Sequence, residues 1–153
     1  MKKIFVLILS LFFLAGYGHA KDAVRPQAEA PQADEAFVLT NKLIAGIVLA
    51  YQNYFKDMFL MNIAQDAPLR DKLIDQIDRN VNAGKVLELN YFINQAFFDA
   101  GKKTLSARFN WEKRAQPQGA TEAVLSKGEA EVVFKHQDDG NWLLYQISGN
   151  NPF

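Results

Sequence analysis

The sequence contains no cysteine. That excludes disulfides, thiolate metal sites and cysteine nucleophiles, and it leaves no thiol for a lipid anchor. Histidine is nearly as scarce, with His19 and His136 the only two. A Ser-His or Cys-His catalytic unit therefore has little to build on. No glycine-rich phosphate loop is present, since Gly46 and Gly84 stand isolated. There is no excess of charge, with 17 basic and 17 acidic residues. Such a balance gives no long-range attraction to nucleic acid or to anionic lipid.

Long apolar runs are also missing, apart from one at the start. Lys2 and Lys3 precede Ile4 to Leu14, a run interrupted only by Ser10. Gly18 and Ala20 then occupy the small-residue positions of a cleavage site. The run falls short of the roughly 18 to 20 residues that span a bilayer. Residues 1–20 thus read as a bacterial-type signal peptide cut after Ala20, which makes the expected compartment periplasmic or extracellular. The mature chain, 21–153, would carry 15 basic and 17 acidic residues, a formal charge of −2. It would hold no membrane span, and about 130 residues can bury a core that needs no disulfide.

Residues 21–35, "KDAVRPQAEAPQADE", hold two prolines and almost no large apolar groups. They cannot bury enough surface to offset their ordering entropy, so they read as a flexible linker. The folded domain is expected over 36–153. Asp34 is a fitting N-cap. Phe37, Thr40, Ile44, Ile47, Val48, Tyr51, Phe55 and Met58 recur three or four apart. This predicts one amphipathic helix over about 36–61, broadened by Leu43, Leu49 and Phe59. A second helix is expected from Ala67-Pro68, with Leu69, Leu73, Ile77 and Val81 as its stripe and Gly84 as its C-terminal stop.

From residue 85 the period changes to two. Leu87, Leu89, Tyr91 and Ile93 alternate with Glu88, Asn90 and Asn94. Leu105, Ala107, Phe109 and Trp111 alternate with polar residues, and so do Ala130, Val132 and Phe134. Asp139-Gly140 signals a hairpin before a last strand over 142–148. Gly128 suggests a bulge or sharp bend. Helices followed by four hairpin-linked strands make an α+β domain, with N-terminal helices packed on a strongly curved antiparallel sheet.

The pattern Gly128, Ala130, Val132, Phe134, Asp139, Gly140, Trp142, Leu144, Ile147 and Gly149, after a helical first half, resembles the NTF2-like (cystatin-like) superfamily. The resemblance covers about residues 36–150. It implies a cone-shaped sheet around a long helix, with a pocket at the open end. Members include isomerases, dehydratases and parts of envelope machinery, so the fold alone does not choose a function.

Tyr51, Tyr54, Tyr91, Phe109 and Trp111 could line an apolar pocket with polar tips, or simply fill the core. Phe92 and Phe98 fall on the exposed phase of the first strand, which suits a dimer or partner surface. Asp57, Asp99 and His136 are the candidate acid–base groups, but the inward strand phases offer no positioned pair. Asp138 and Asp139 beside His136 read as turn residues rather than metal ligands. No cofactor is implied. The expected function is a non-catalytic binding or interaction module, taking an apolar small molecule or an envelope protein. The alternatives are an isomerase or dehydratase, and a structural part of an envelope or secretion assembly.

Overall fold

The computed structural model describes residues 29–153. The predicted signal peptide and residues 21–28 of the predicted linker lie outside the described residues. Three helices come first: α1 (Glu29–Gln52), α2 (Lys56–Met61) and α3 (Arg70–Ala83). Four strands follow: β1 (Gly84–Asp99), β2 (Thr104–Pro117), β3 (Val124–His136) and β4 (Trp142–Gly149). They form one antiparallel sheet in the order β1-β2-β3-β4. The α+β class and the helix-on-curved-sheet arrangement are as the sequence predicts. Among the described residues, no helix is long and apolar enough to cross a membrane.

Helix α1 starts at Glu29, so Asp34 lies within it and is not its N-cap. Its inner face buries Ala36, Thr40, Ile44, Ile47, Val48 and Tyr51. The predicted stripe does not run on to residue 61. The helix stops at Gln52, and Tyr54 takes a left-handed φ of 56°. A non-glycine residue holds that conformation only when its surroundings fix it. Here the Tyr54 hydroxyl donates to the Gly84 carbonyl at 2.9 Å and accepts from the Val86 N–H at 2.6 Å. The break turns α2 onto a new axis. Phe59 becomes buried, while Phe55 and Met58 are exposed. Leu49 and Phe37, placed in or beside the stripe by sequence, are exposed as well.

Helix α3 begins at Arg70, two residues after Pro68. It buries Leu73 and Ile77, whereas Val81 is exposed. It passes straight into β1 at Gly84, whose φ is 148°.

Two bulges set the phase of β1. The first, between Val86 and Glu88, turns Val86 inward and leaves Leu87 exposed. The second, between Ile93 and Gln95, turns Ala96 and Phe98 toward the core. Phe98 is therefore not on the exposed phase. It packs against Trp142 with ring centroids 5.7 Å apart. Phe92 and Phe97 are the exposed aromatics of this strand, and Phe92 is 68% exposed. An extra residue in one strand reverses every later side chain.

In β2 and β3 the predicted inward residues are all buried. Gly128 marks no bulge, since it pairs regularly with Trp111. A Cβ there would stand 2.8 Å from both Trp111 Cζ2 and Asn150 Cβ. Its role is close approach. The β3–β4 turn closes as predicted, with Gly140 at φ 87° and the Asp139 carboxylate accepting from the Asn141 N–H at 3.0 Å. Residues 62–64 pair beside β4 through Ile63 and Leu144. After β4 the chain folds back, and Phe153 enters the core.

Candidate functional site

An open cleft and a more enclosed cluster each bring polar groups and apolar surface together. The first is an open cleft of about 560 Å³. Its walls come from α1 (Leu39, Lys42, Leu43), from α2 (Met58, Met61) and from the end of the β3–β4 hairpin (Trp142, Leu143). Asn62 and Asn141 add polar edges. The cleft exists because the chain breaks after Gln52 and swings α2 away from the α1 axis. Met61 is 76% exposed, a large unbranched apolar side chain held at the rim. Methionine adapts its shape to a partner at little cost. A volume of this size falls within the range of small-molecule sites.

The second region is the mouth of the cone. Tyr51 is buried on α1, and its hydroxyl accepts from Asn80 Nδ2 at 2.9 Å. Lys113 Nζ, from β2, lies 3.5 Å from that hydroxyl and 5.7 Å from the centre of the Tyr51 ring. Lys113 also lies 5.9 Å from the Trp111 ring centre. Burial holds the Lys113 ammonium below its usual pKa, because a half-buried cation loses solvation. Residues 150–153 close this mouth, and the Phe153 ring fills it.

Burial also pushes the Tyr51 pKa up to about 12, with the Asn80 hydrogen bond opposing the shift and Tyr54 adding slightly to it. The raised value favours the native state while the phenol stays neutral. That stability is complete below pH 10, the unfolded value, and is lost as pH rises from 10 to 12. A shift of this size corresponds to roughly 2 to 3 kcal/mol. Lys113 works in the opposite sense, since its lowered pKa makes stability rise with pH as it approaches 10.5. Urea unfolding between pH 9 and 12 should therefore show a falling limb above pH 10. That limb should be largely lost in Tyr51→Phe, and a variant that keeps the wild-type slope would mean the phenol titrates normally.

The other residues singled out from sequence are dispersed. Phe109 is buried in the core and meets Tyr91 edge-on at 6.5 Å. The Tyr91 hydroxyl donates to Asn41 Oδ1 at 3.0 Å, which ties β1 to α1. Trp111 is buried, and its indole N–H donates to the Asn150 carbonyl at 2.7 Å. Tyr91 and Trp111 also border a shallow depression of about 490 Å³ beside Phe92 and Gly128. Tyr54 serves the α3–β1 joint.

Asp57 is exposed at the start of α2. Asp99 ends β1 beside the β1–β2 turn, where the Lys102 ammonium holds its carboxyl below the usual range. His136 lies at the end of β3 with its ring 5.0 Å from Trp142. None of the three hydrogen-bonds to Tyr51 or Tyr91.

Sequence reasoning missed Met58 and Met61 as cleft residues, and Lys113 and Asn80 as groups at the cone mouth. Met58 reads as a continuation of the α1 stripe, and Met61 falls at the expected end of that helix. Lys113 ends the clean alternation of β2, and a lysine there reads as solvated. The strand phase was a usable signal, because Lys113 falls two residues after Trp111 on the inward face.

The chain has the NTF2-like fold. Among solved structures, it is similar to a conserved protein from Planctomyces limnophilus, with a TM-score of 0.65 at 11% identity over 74% of this chain and 94% of that one. It is also similar to a ketosteroid isomerase-like protein from Erwinia carotovora atroseptica, with a TM-score of 0.58 at 11% identity over 82% and 99%. An NTF2-like superfamily protein from Salmonella enterica matches with a TM-score of 0.60 at 7% identity over 78% and 93%. Neither a protein-family model nor a curated protein matches the sequence. At these identities the likeness is one of fold.

Proposed function

We propose that this protein is a non-catalytic, periplasmic or secreted binding module whose ligand is an apolar small molecule held in the α1–α2–hairpin cleft. The observation that carries the reading is the cleft itself. It is roomy and open, and Leu39, Leu43, Met58, Met61 and Trp142 converge on it from three elements. Lys42, Asn62 and Asn141 at its edges could orient a polar end. The isomerase or dehydratase alternative has less support, because Asp57, Asp99 and His136 hydrogen-bond to neither Tyr51 nor Tyr91. The assembly alternative draws on Phe92 and Phe97, two exposed aromatics on the outer side of β1. Secretion rests on residues 1–20 alone.

The test is native mass spectrometry of the protein purified gently from its own host, beside Met61→Glu. Met61 is exposed, so the substitution should leave the fold intact. A bound small-molecule mass on the wild type that disappears in the variant is the expected result. A bare wild-type monomer, or an adduct indifferent to Met61→Glu, counts against the cleft. A bare dimer or a co-purifying protein would shift the reading to assembly through the β1 face.

A further inference from the structure

Residues 150–153, Asn-Asn-Pro-Phe, belong to no helix or strand. Their backbone is nevertheless held at several points, chiefly by side chains. The Asn150 carbonyl accepts from Trp111 Nε1 at 2.7 Å, and the Pro152 carbonyl accepts from Lys113 Nζ at 2.7 Å. The Phe153 carbonyl accepts from Gln76 Nε2. Gln76 Oε1 in turn accepts from Asn151 Nδ2 at 3.2 Å, so the amide reads both a carbonyl and a side chain. The Phe153 ring is 2% exposed. It stands edge-on to Tyr51 at 5.3 Å and to Phe59 at 5.5 Å.

This pattern is how a protein holds a peptide ligand. One aromatic anchor sits in a buried cage, and fixed donors read backbone acceptors at three of the four residues. The donors come from two elements, α3 and β2, and the cage from two more, α1 and α2. Lys113 adds an independent sign. It is a half-buried cation, and among the described residues no carboxylate pairs with it. Its close oxygen partners are the Pro152 carbonyl and the Tyr51 hydroxyl. A buried charge needs acceptors, and here the segment supplies the nearer one.

We infer that the cone mouth is a binding site for a phenylalanine-bearing peptide segment, and that residues 150–153 are its built-in occupant. The site is separate from the α1–α2–hairpin cleft and does not depend on a ligand there. An external peptide must compete with a tethered copy whose effective concentration is in the millimolar range. The wild type therefore binds such a peptide weakly, and loss of the anchor ring exposes the site.

The probe is the peptide acetyl-Asn-Asn-Pro-Phe-amide, titrated into the full chain and followed by calorimetry and by the indole N–H signal of Trp111. Phe153→Ala should bind it at least about tenfold more tightly than the wild type does. Adding Lys113→Met should then weaken binding about tenfold, the value of one hydrogen bond to a charged donor. If Phe153→Ala is unfolded by itself, millimolar peptide should restore its near-ultraviolet dichroism and raise its Tm. A folded Phe153→Ala that binds no more tightly than the wild type overturns the inference. So does an unfolded one that peptide does not rescue, or an affinity indifferent to Lys113→Met. None of these results bears on the Met61→Glu experiment, so the two readings fail separately.

Discussion

Gly84→Ala is expected to lose about 3 kcal/mol of stability or more, the largest effect of any single added methyl in this fold. Two causes act together. The φ of 148° is a conformation that side chains rarely adopt. A Cβ would also stand 2.2 Å from the Gln116 carbonyl oxygen and 2.7 Å from Pro117 Cα. Both obstacles are backbone atoms of a paired strand, so neither can rotate aside. Gly84 has this tight seat because α3 runs into β1 without a loop residue, and β1 must pair with β2 from its first residue. Gly119 provides the control. Its φ is 78°, and nothing lies within 4 Å of a built Cβ. Gly119→Ala should therefore cost only the backbone strain, about 1 kcal/mol. Urea unfolding of the two variants measures the difference. Equal losses would mean that the joint can shift to admit a methyl group.

Phe153→Ala is expected to cost about 3 to 5 kcal/mol, the usual loss for emptying a buried aromatic site. The ring is 2% exposed and touches both Tyr51 and Phe59 edge-on. Its removal leaves a void at the cone mouth, and it frees the carbonyls that Lys113 and Gln76 satisfy. Phe153→Leu should lose less, because it refills most of the volume while giving up the aromatic contacts. Thermal unfolding of the pair checks the order. The indole N–H of Trp111 reports the cause, since it bonds to the Asn150 carbonyl. A Phe153→Ala protein with wild-type Tm would show that the ring contributes nothing to the core.

Much of the sheet was legible because its evidence is local. In β2 and β3 the polar and apolar residues alternate without interruption, and a strand offers only two faces. The inward set Leu105, Ala107, Phe109, Trp111, Ala130, Val132 and Phe134 followed directly. The Asp139-Gly140 turn was equally readable, because a left-handed glycine and a short acceptor side chain close it with their own atoms. The first strand was less so. Its two bulges are decided by pairing with β2, and alternation read from one strand cannot show an extra residue. That is why Leu87 and Phe98 exchanged faces with what their spacing suggested.

The sites were harder to read than the sheet. The helical stripe through Tyr51, Phe55 and Met58 is sound as periodicity, but periodicity carries no information on where an axis bends. The bend after Gln52 is fixed by the Tyr54 hydroxyl holding Gly84 and Val86, 30 and 32 residues further along the chain. Without that bend Met58 and Met61 would extend the α1 stripe and no cleft would form.

By itself the sequence determined the class of fold, the order of helices before four strands and the buried face of its central strands. Those properties rest on side-chain period and turn chemistry, which act over a few residues. Only the tertiary structure decided where α1 ends, which way the aromatics of β1 point, and that Phe153 closes the cone over Tyr51 and Lys113. Each of those depends on hydrogen bonds and ring contacts between residues far apart in the chain. Such contacts leave no periodic trace, because their partners are chosen by packing.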